Sequence, residues 1–279
     1  MKEGKAAVNG VDLWYKIEGD GEPMIQIHGA GFGHHNFGPV SPLLVPHYQV
    51  IDYDQRGYGL SDRPIDQDYG MEQWADDCAG LLDALEIETA HIHGTSMGGM
   101  VAQHFAARYP ERTKTVIINS SAGKLGNAGR LVIKNWADLV RLDPDGLGSR
   151  LLAELLGWEC FSRAYMDGPK AEESIESIQT IMRDGNEPEI FYSACQAIID
   201  LDTTALLPKI TSPALVLGGD QDMMTPWDQG PSGVGQQGIY EGIAGATKRV
   251  IEGSAHVTVF EYPERHAELV HEFCQEHSG

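Results

Sequence analysis

The stretch His91-Ile92-His93-Gly94-Thr95-Ser96-Met97-Gly98-Gly99-Met100 decides the fold. Its first half closes a short apolar run, Ala90–Gly94, of the kind a buried strand needs, and its second half opens Met97–Arg108, whose pattern predicts a helix stopped by Tyr109-Pro110. Between them Gly94, Ser96 and Gly98 form G-x-S-x-G on a strand-to-helix turn, the context that gives this pattern its meaning. Such a turn is so tight that side chains at 94 or 98 would collide with it, and it forces the serine into strained backbone geometry. The hydroxyl then stands at a helix N-terminus, where the helix dipole favours developing negative charge. Ser96 is the candidate nucleophile.

Upstream, Ala6–Val8 and Val11–Ile17 flank Asn9-Gly10 and predict a β-hairpin. The runs Met24–His28, Tyr48–Asp54, Ala90–Gly94 and Thr115–Asn119 lack strict alternation, as strands covered on both faces do. Helix-length segments separate some of them, among them Met71–Leu85 with an apolar stripe through Trp74, Cys78 and Leu82. Strand followed by helix, repeated, predicts an α/β fold with a mostly parallel sheet. Downstream the rhythm changes. Leu131–Leu142, Ser149–Leu156, Glu172–Arg183 and Ile190–Ile199 read as helices with no strand among them, before strands return at Ala214–Gly218 and Lys248–Glu252 and a helix follows at Pro263–Cys274. The expected organisation is a core from 1–122 and 208–279 split by a helical cap at 123–207.

Composition narrows the function. The chain has 279 residues, 42% of them hydrophobic, enough for a proper core, and a formal charge of −21. That charge disfavours nucleic acid and anionic membrane surfaces as partners. A small-molecule substrate is the expected partner, and a homo-oligomer is compatible with the sequence. The N-terminus lacks the apolar stretch of a secretory signal and no membrane-length apolar run occurs, so a cytoplasmic location is expected. Cys78, Cys160, Cys195 and Cys274 are far apart and predict reduced, buried thiols. The histidines show no metal-ligand spacing, and no metal or other cofactor is expected.

A serine hydroxyl needs a base, and the base needs an orienting group. Asp222 lies just past a strand in Gly218-Gly-Asp-Gln-Asp-Met-Met-Thr-Pro226, and His256 lies in Gly253-Ser-Ala-His-Val-Thr258 after the last strand. Asp220 is a competing acid two residues away, more simply read as solvated. His28-Gly29-Ala30-Gly31 leads into a glycine-rich loop whose N–H groups could face an oxyanion, with Ala30 and Met97 N–H as the two donors. His28 reads as a loop brace, and Asp54-Gln-Arg56-Gly57-Tyr-Gly59-Leu-Ser61 as a structural turn.

These motifs together resemble the α/β-hydrolase family over essentially the whole chain. The matching parts are the HGxG loop, the D-x-R-G-x-G-x-S turn, the elbow at Ser96, the G-x-x-D-x-x-T-P loop at Asp222 and the G-x-x-H loop at His256. The resemblance implies a Ser96–His256–Asp222 triad, an oxyanion hole from Ala30 and Met97, and a cap that shapes the pocket. The register of the family's acid loop selects Asp222 over Asp220. Ser96-Met-Gly-Gly99 is similar to the elbow of 3-oxoadipate enol-lactonases, which implies a small ester, lactone or amide substrate, including a carboxylate-bearing catabolic intermediate. Carbon–carbon bond hydrolases of meta-cleavage pathways share that elbow and a polar first-loop residue, here Asn36, but carry Trp after the histidine where Val257 stands. A non-catalytic receptor of the same fold is the third alternative. Candidate substrate contacts are His34, His35, Asn36, Trp136 and Trp158; Arg130, Lys134, Arg141, Arg163 and Arg183 could meet an anionic substrate or cover helix faces.

Overall fold

The computed structural model describes residues 1–67 and 69–277. Asn9 and Gly10, with φ of 46° and 82°, turn β1 (Lys2–Val8) back onto β2 (Val11–Glu18), the double left-handed turn that matches hairpin twist. The six remaining strands run parallel: β3 (Glu22–Ile27), β4 (Tyr48–Tyr53), β5 (Ala90–Thr95), β6 (Thr113–Asn119), β7 (Ala214–Gly219) and β8 (Thr247–Ile251). The sheet order is β1-β2-β4-β3-β5-β6-β7-β8, with β2 antiparallel to β4. Both faces are buried, and the strands show it residue by residue. Ile25, Ile27, Val116, Ile118 and Val216 pack into one hydrophobic cluster, while Met24, Ile117, Leu215 and Leu217 pack into another on the opposite face.

Short α1 (Ser41–Leu44) and C-terminal α11 (Pro263–Glu276) cover the second face, and α2 (Met71–Ala84) and α3 (Met97–Arg108) the first. Between β6 and β7 the chain forms α4 (Asn127–Leu142), α5 (Arg150–Cys160), a single turn α6 (Arg163–Met166), α7 (Ala171–Gly185) and α8 (Pro188–Ile199). Helix α4 packs on α8 and α5 on α7. Ser149 caps α5 by accepting the Leu152 N–H, which explains where that helix starts. The ends of this helical segment are clasped together: Thr203 N donates to Gly123 O at 2.8 Å, and Lys124 pairs with Asp202 at 2.8 Å. Helices α9 (Gln236–Gly242) and α10 (Thr258–Glu261) complete the fold, and neither α6, α9 nor α10 was legible as a sequence pattern. All four cysteines are buried, and no disulfide joins them. No helix among the described residues is long and apolar enough to cross a membrane.

The turn after β4 is a structural hub. Asp54 accepts from His34 N (2.6 Å), His34 Nδ1 (3.0 Å) and Leu60 N (2.8 Å), while Arg56 makes a two-point ion pair with Asp77 at 2.7 and 2.8 Å. Both partners of that pair are buried, so each compensates the desolvation of the other.

Candidate active site

The C-terminal ends of β3, β5, β7 and β8 each deliver one part of the site, at the end of an open parallel sheet where such sites form. Ser96 follows β5 with φ 55° and ψ −120°, a conformation costly for a non-glycine residue. Its surroundings enforce it. A Cβ at Gly98 would lie 1.9 Å from Ile27 O, and one at Gly94 would lie 2.1 Å from Gly98 O. Ser96 N donates to Asn119 O at 2.9 Å and Ser121 Oγ donates to Ser96 O at 2.9 Å, fixing the turn from the neighbouring strand.

Ser96 Oγ lies 2.9 Å from His256 Nε2, and His256 Nδ1 lies 3.1 and 3.2 Å from the two carboxylate oxygens of Asp222. An ionised carboxylate can only accept, so Nδ1 carries the proton and Nε2 is free to receive the hydroxyl proton. Asp222 also accepts from Met224 N (2.9 Å), Thr225 N (2.9 Å), Thr225 Oγ1 (2.8 Å) and Gln236 Nε2 (3.3 Å). Burial by itself would raise its pKa. The charge of His256 and the hydrogen bonds from His256 and Thr225 outweigh that and hold the carboxyl below its ordinary 3.8. Asp220 is turned elsewhere, its Oδ1 accepting Gly253 N at 2.7 Å.

After β3, Gly29 N donates to Asn36 Oδ1 at 2.6 Å, which pins the loop that presents the next N–H, that of Ala30. Among the described residues neither the Ala30 nor the Met97 N–H has an acceptor, so both are available at the serine. His28 braces the loop: Nδ1 donates to Gly29 O at 2.8 Å and Nε2 accepts Gln55 N at 3.0 Å. Burial pulls its pKa down to about 4, so it is neutral, as that acceptor role requires.

Over the serine lies a cavity of about 40 Å³, measured by where the centre of a water molecule can sit. Leu125, Ile133, Trp136, Ile198, Met224 and Val257 supply its apolar wall, and among the described residues no Lys, Arg, Asp or Glu lines it. Of the candidate substrate contacts, Asn36 and Trp136 line this cavity. His34 and His35 do not. They flank an outer groove against α7, because Asp54 holds the His34 ring, which lies tilted against Trp14 with centroids 4.3 Å apart. Trp158 points to solvent at 55% exposure, on the face of α5 opposite its buried residues. The five basic residues are also engaged outside it. Arg130 donates to Ile199 O, Lys134 pairs with Asp138, Arg141 lies 3.3 Å from the Tyr192 ring centroid, and Arg163 and Arg183 pair with Asp167 and Asp184.

Sequence reading passed over three contributors. Thr225 is part of the T-P motif after Asp222, and its place three residues on is a usable signal for a hydroxyl bonded back to the acid. Gln236 and the Cys160 carbonyl, which accepts the backbone N–H of His256 at 2.9 Å, come from distant segments and carry no such signal.

A family model described as the alpha/beta hydrolase fold matches residues 22–263, and the chain belongs to that family. It is 32% identical over 217 residues to 3-oxoadipate enol-lactonase 2 of Acinetobacter baylyi, covering 78% of this chain and 75% of that one. It is 30% identical over 266 residues to 2-hydroxymuconate semialdehyde hydrolase of a Pseudomonas species, covering 92% and 88%. The enol-lactonase structure from Burkholderia xenovorans superposes with a TM-score of 0.85 at 27% identity, covering 98% of this chain and all of that one. The protein is accordingly an α/β-hydrolase enzyme.

Proposed function

We propose that the protein cleaves a small, uncharged ester or lactone, or an amide of the same shape, through an acyl-enzyme on Ser96. Ser96 Oγ attacks the carbonyl carbon as its proton passes to His256 Nε2, and the oxyanion rests between the Ala30 and Met97 N–H groups. The tetrahedral intermediate collapses, re-forming the carbonyl as the bond to the leaving atom breaks, and His256 gives that atom the proton. Water then gives a proton to His256 as it attacks the acyl carbon, and His256 passes that proton to Ser96 Oγ as the acyl bond breaks, freeing Ser96 and a carboxylic acid. Asp222 keeps the imidazole in the required tautomer and stabilises it when protonated. Residues 123–207 act as a cap whose inner face shapes the acyl pocket.

The observation that carries this reading is the unbroken series from Ser96 Oγ through His256 to Asp222, at 2.9 and 3.1 Å, on a strained elbow. The relatives named above act on molecules whose names denote carboxylates, but among the described residues no Lys or Arg lines this cavity to meet a buried carboxylate. An uncharged acyl group fits its walls better. The test is labelling with a fluorophosphonate probe, followed by peptide mapping, beside hydrolysis of methyl butyrate and methyl succinate half-ester. Label on Ser96, loss of label and hydrolysis in Ser96→Ala, and preference for the uncharged ester are expected. Hydrolysis surviving Ser96→Ala would overturn the nucleophile, and a preference for the half-ester would overturn the substrate class.

A further inference from the structure

Phe32 borders three spaces: the Ser96 cavity, the outer groove that His34 and His35 flank, and a recess that adjoins that groove through Glu173, Ser177 and Ile181. Its side chain belongs to the wall of the Ser96 cavity and to that of a second recess of about 230 Å³ on the same measure, lined by Phe161, Tyr165, Ile178, Ile181 and Phe260. The aromatic rings form a continuous surface there, with centroids 6.3 Å apart for Phe32 and Phe260, 6.3 Å for Phe161 and Phe260, and 4.7 Å for Phe161 and Tyr165. Exposed Lys170 and Glu173 lie at the recess as well. The inner cavity, at about 40 Å³, is much the smaller of the two, so the recess offers the extra room that a bulky leaving group needs.

The recess lies on the side of the site that holds the base. Phe260 lies in α10, which begins two residues after His256, and Phe161 follows Cys160, whose carbonyl holds the His256 N–H. The departing atom must receive its proton from His256, so the leaving group lies on the His256 side of Ser96. Gly31 (φ 85°) and Gly33 (φ 55°) flank Phe32, placing its ring on the most permissive backbone of the loop.

Resting on the acyl-enzyme reading above, we propose that this recess is a leaving-group subsite for an arylalkyl alcohol or amine, joined to the Ser96 cavity by displacement of the Phe32 ring, which sets leaving-group selectivity. The experiment compares kcat/KM for benzyl butyrate and methyl butyrate in the native enzyme, in Ser177→Trp, which plugs the recess from the exposed face of α7, and in Phe32→Ala. Comparing the ratio between variants cancels the intrinsic reactivity of the two esters. The benzyl-to-methyl ratio is expected to fall about tenfold in Ser177→Trp, the scale of a lost apolar contact surface, and Phe32→Ala is expected to admit 1-naphthylmethyl butyrate. An unchanged ratio in Ser177→Trp, with hydrolysis still dependent on Ser96, would overturn the subsite and leave the acyl-enzyme reading standing. No Ser96-dependent hydrolysis of either ester would overturn both.

Discussion

The carbonyl of Cys160, the last residue of α5, accepts the backbone N–H of His256 at 2.9 Å, and that of Val257 at 3.2 Å. The loop that carries the imidazole is therefore held partly by the helical segment above the sheet. Glu261 reinforces the contact, accepting Ser162 N at 2.8 Å with one oxygen and Ser254 Oγ at 2.9 Å and Ala255 N at 2.6 Å with the other.

Glu261→Gln keeps the shape of that bridge, but its amide nitrogen cannot accept, so one arm is severed. We expect kcat to fall about ten- to hundredfold with KM little changed, because a displaced imidazole loses its alignment while the pocket persists. Steady-state kinetics below the melting transition checks this. A variant that melts earlier at unchanged kcat would confine Glu261 to packing.

Asp222→Asn removes the charge that fixes the His256 tautomer, and kcat is expected to drop by roughly 10³–10⁴. The same substitution changes the acid limb of stability. The Asp222 carboxyl is held below its ordinary 3.8 in the folded protein, so it favours folding above that value, and the contribution disappears as pH falls through the folded pKa. Urea unfolding between pH 6 and 3 should therefore show a shallower acid loss for Asp222→Asn than for the native chain.

Asn36→Ala deprives Gly29 N of its acceptor at 2.6 Å and loosens the peptide that presents the Ala30 N–H. In the proposed mechanism the Ala30 N–H meets charge that develops only during reaction, so kcat should fall, by up to about 10², and KM should stay nearly constant. A raised KM at unchanged kcat would show that Asn36 serves ground-state binding instead.

Gly98→Ala sets a methyl group 1.9 Å from the Ile27 carbonyl oxygen, a backbone atom that cannot turn aside. We expect a loss of stability of about 3 kcal/mol or more, the upper range for overpacking, read as a lower urea midpoint. A midpoint equal to that of the native chain would mean that β3 and α3 can separate there without loss.

The strands and the elbow were legible because each depends on local pattern: apolar runs, glycines at fixed spacing, turn residues. What stayed hidden depends on which distant side chains meet. His34 adjoins the Ala30 loop in sequence, yet Asp54 pulls its ring outward. Trp136 and Trp158 look alike as aromatic residues in helical segments, but Trp136 lines the cavity while Trp158 faces water, a difference set by the packing of α4 and α5. Gln236 reaches Asp222 from a helix that no periodicity announced.

Gly123 and Thr203, joined at 2.8 Å with Lys124 and Asp202 paired beside them, make a neck through which the chain leaves the sheet and comes back. Everything beyond that neck can be treated as an interchangeable cassette. A foreign helical insert with equally close termini could be grafted there while the elbow at Ser96 keeps its backbone supports on β3 and β6, although it would have to supply its own replacement for the Cys160 carbonyl.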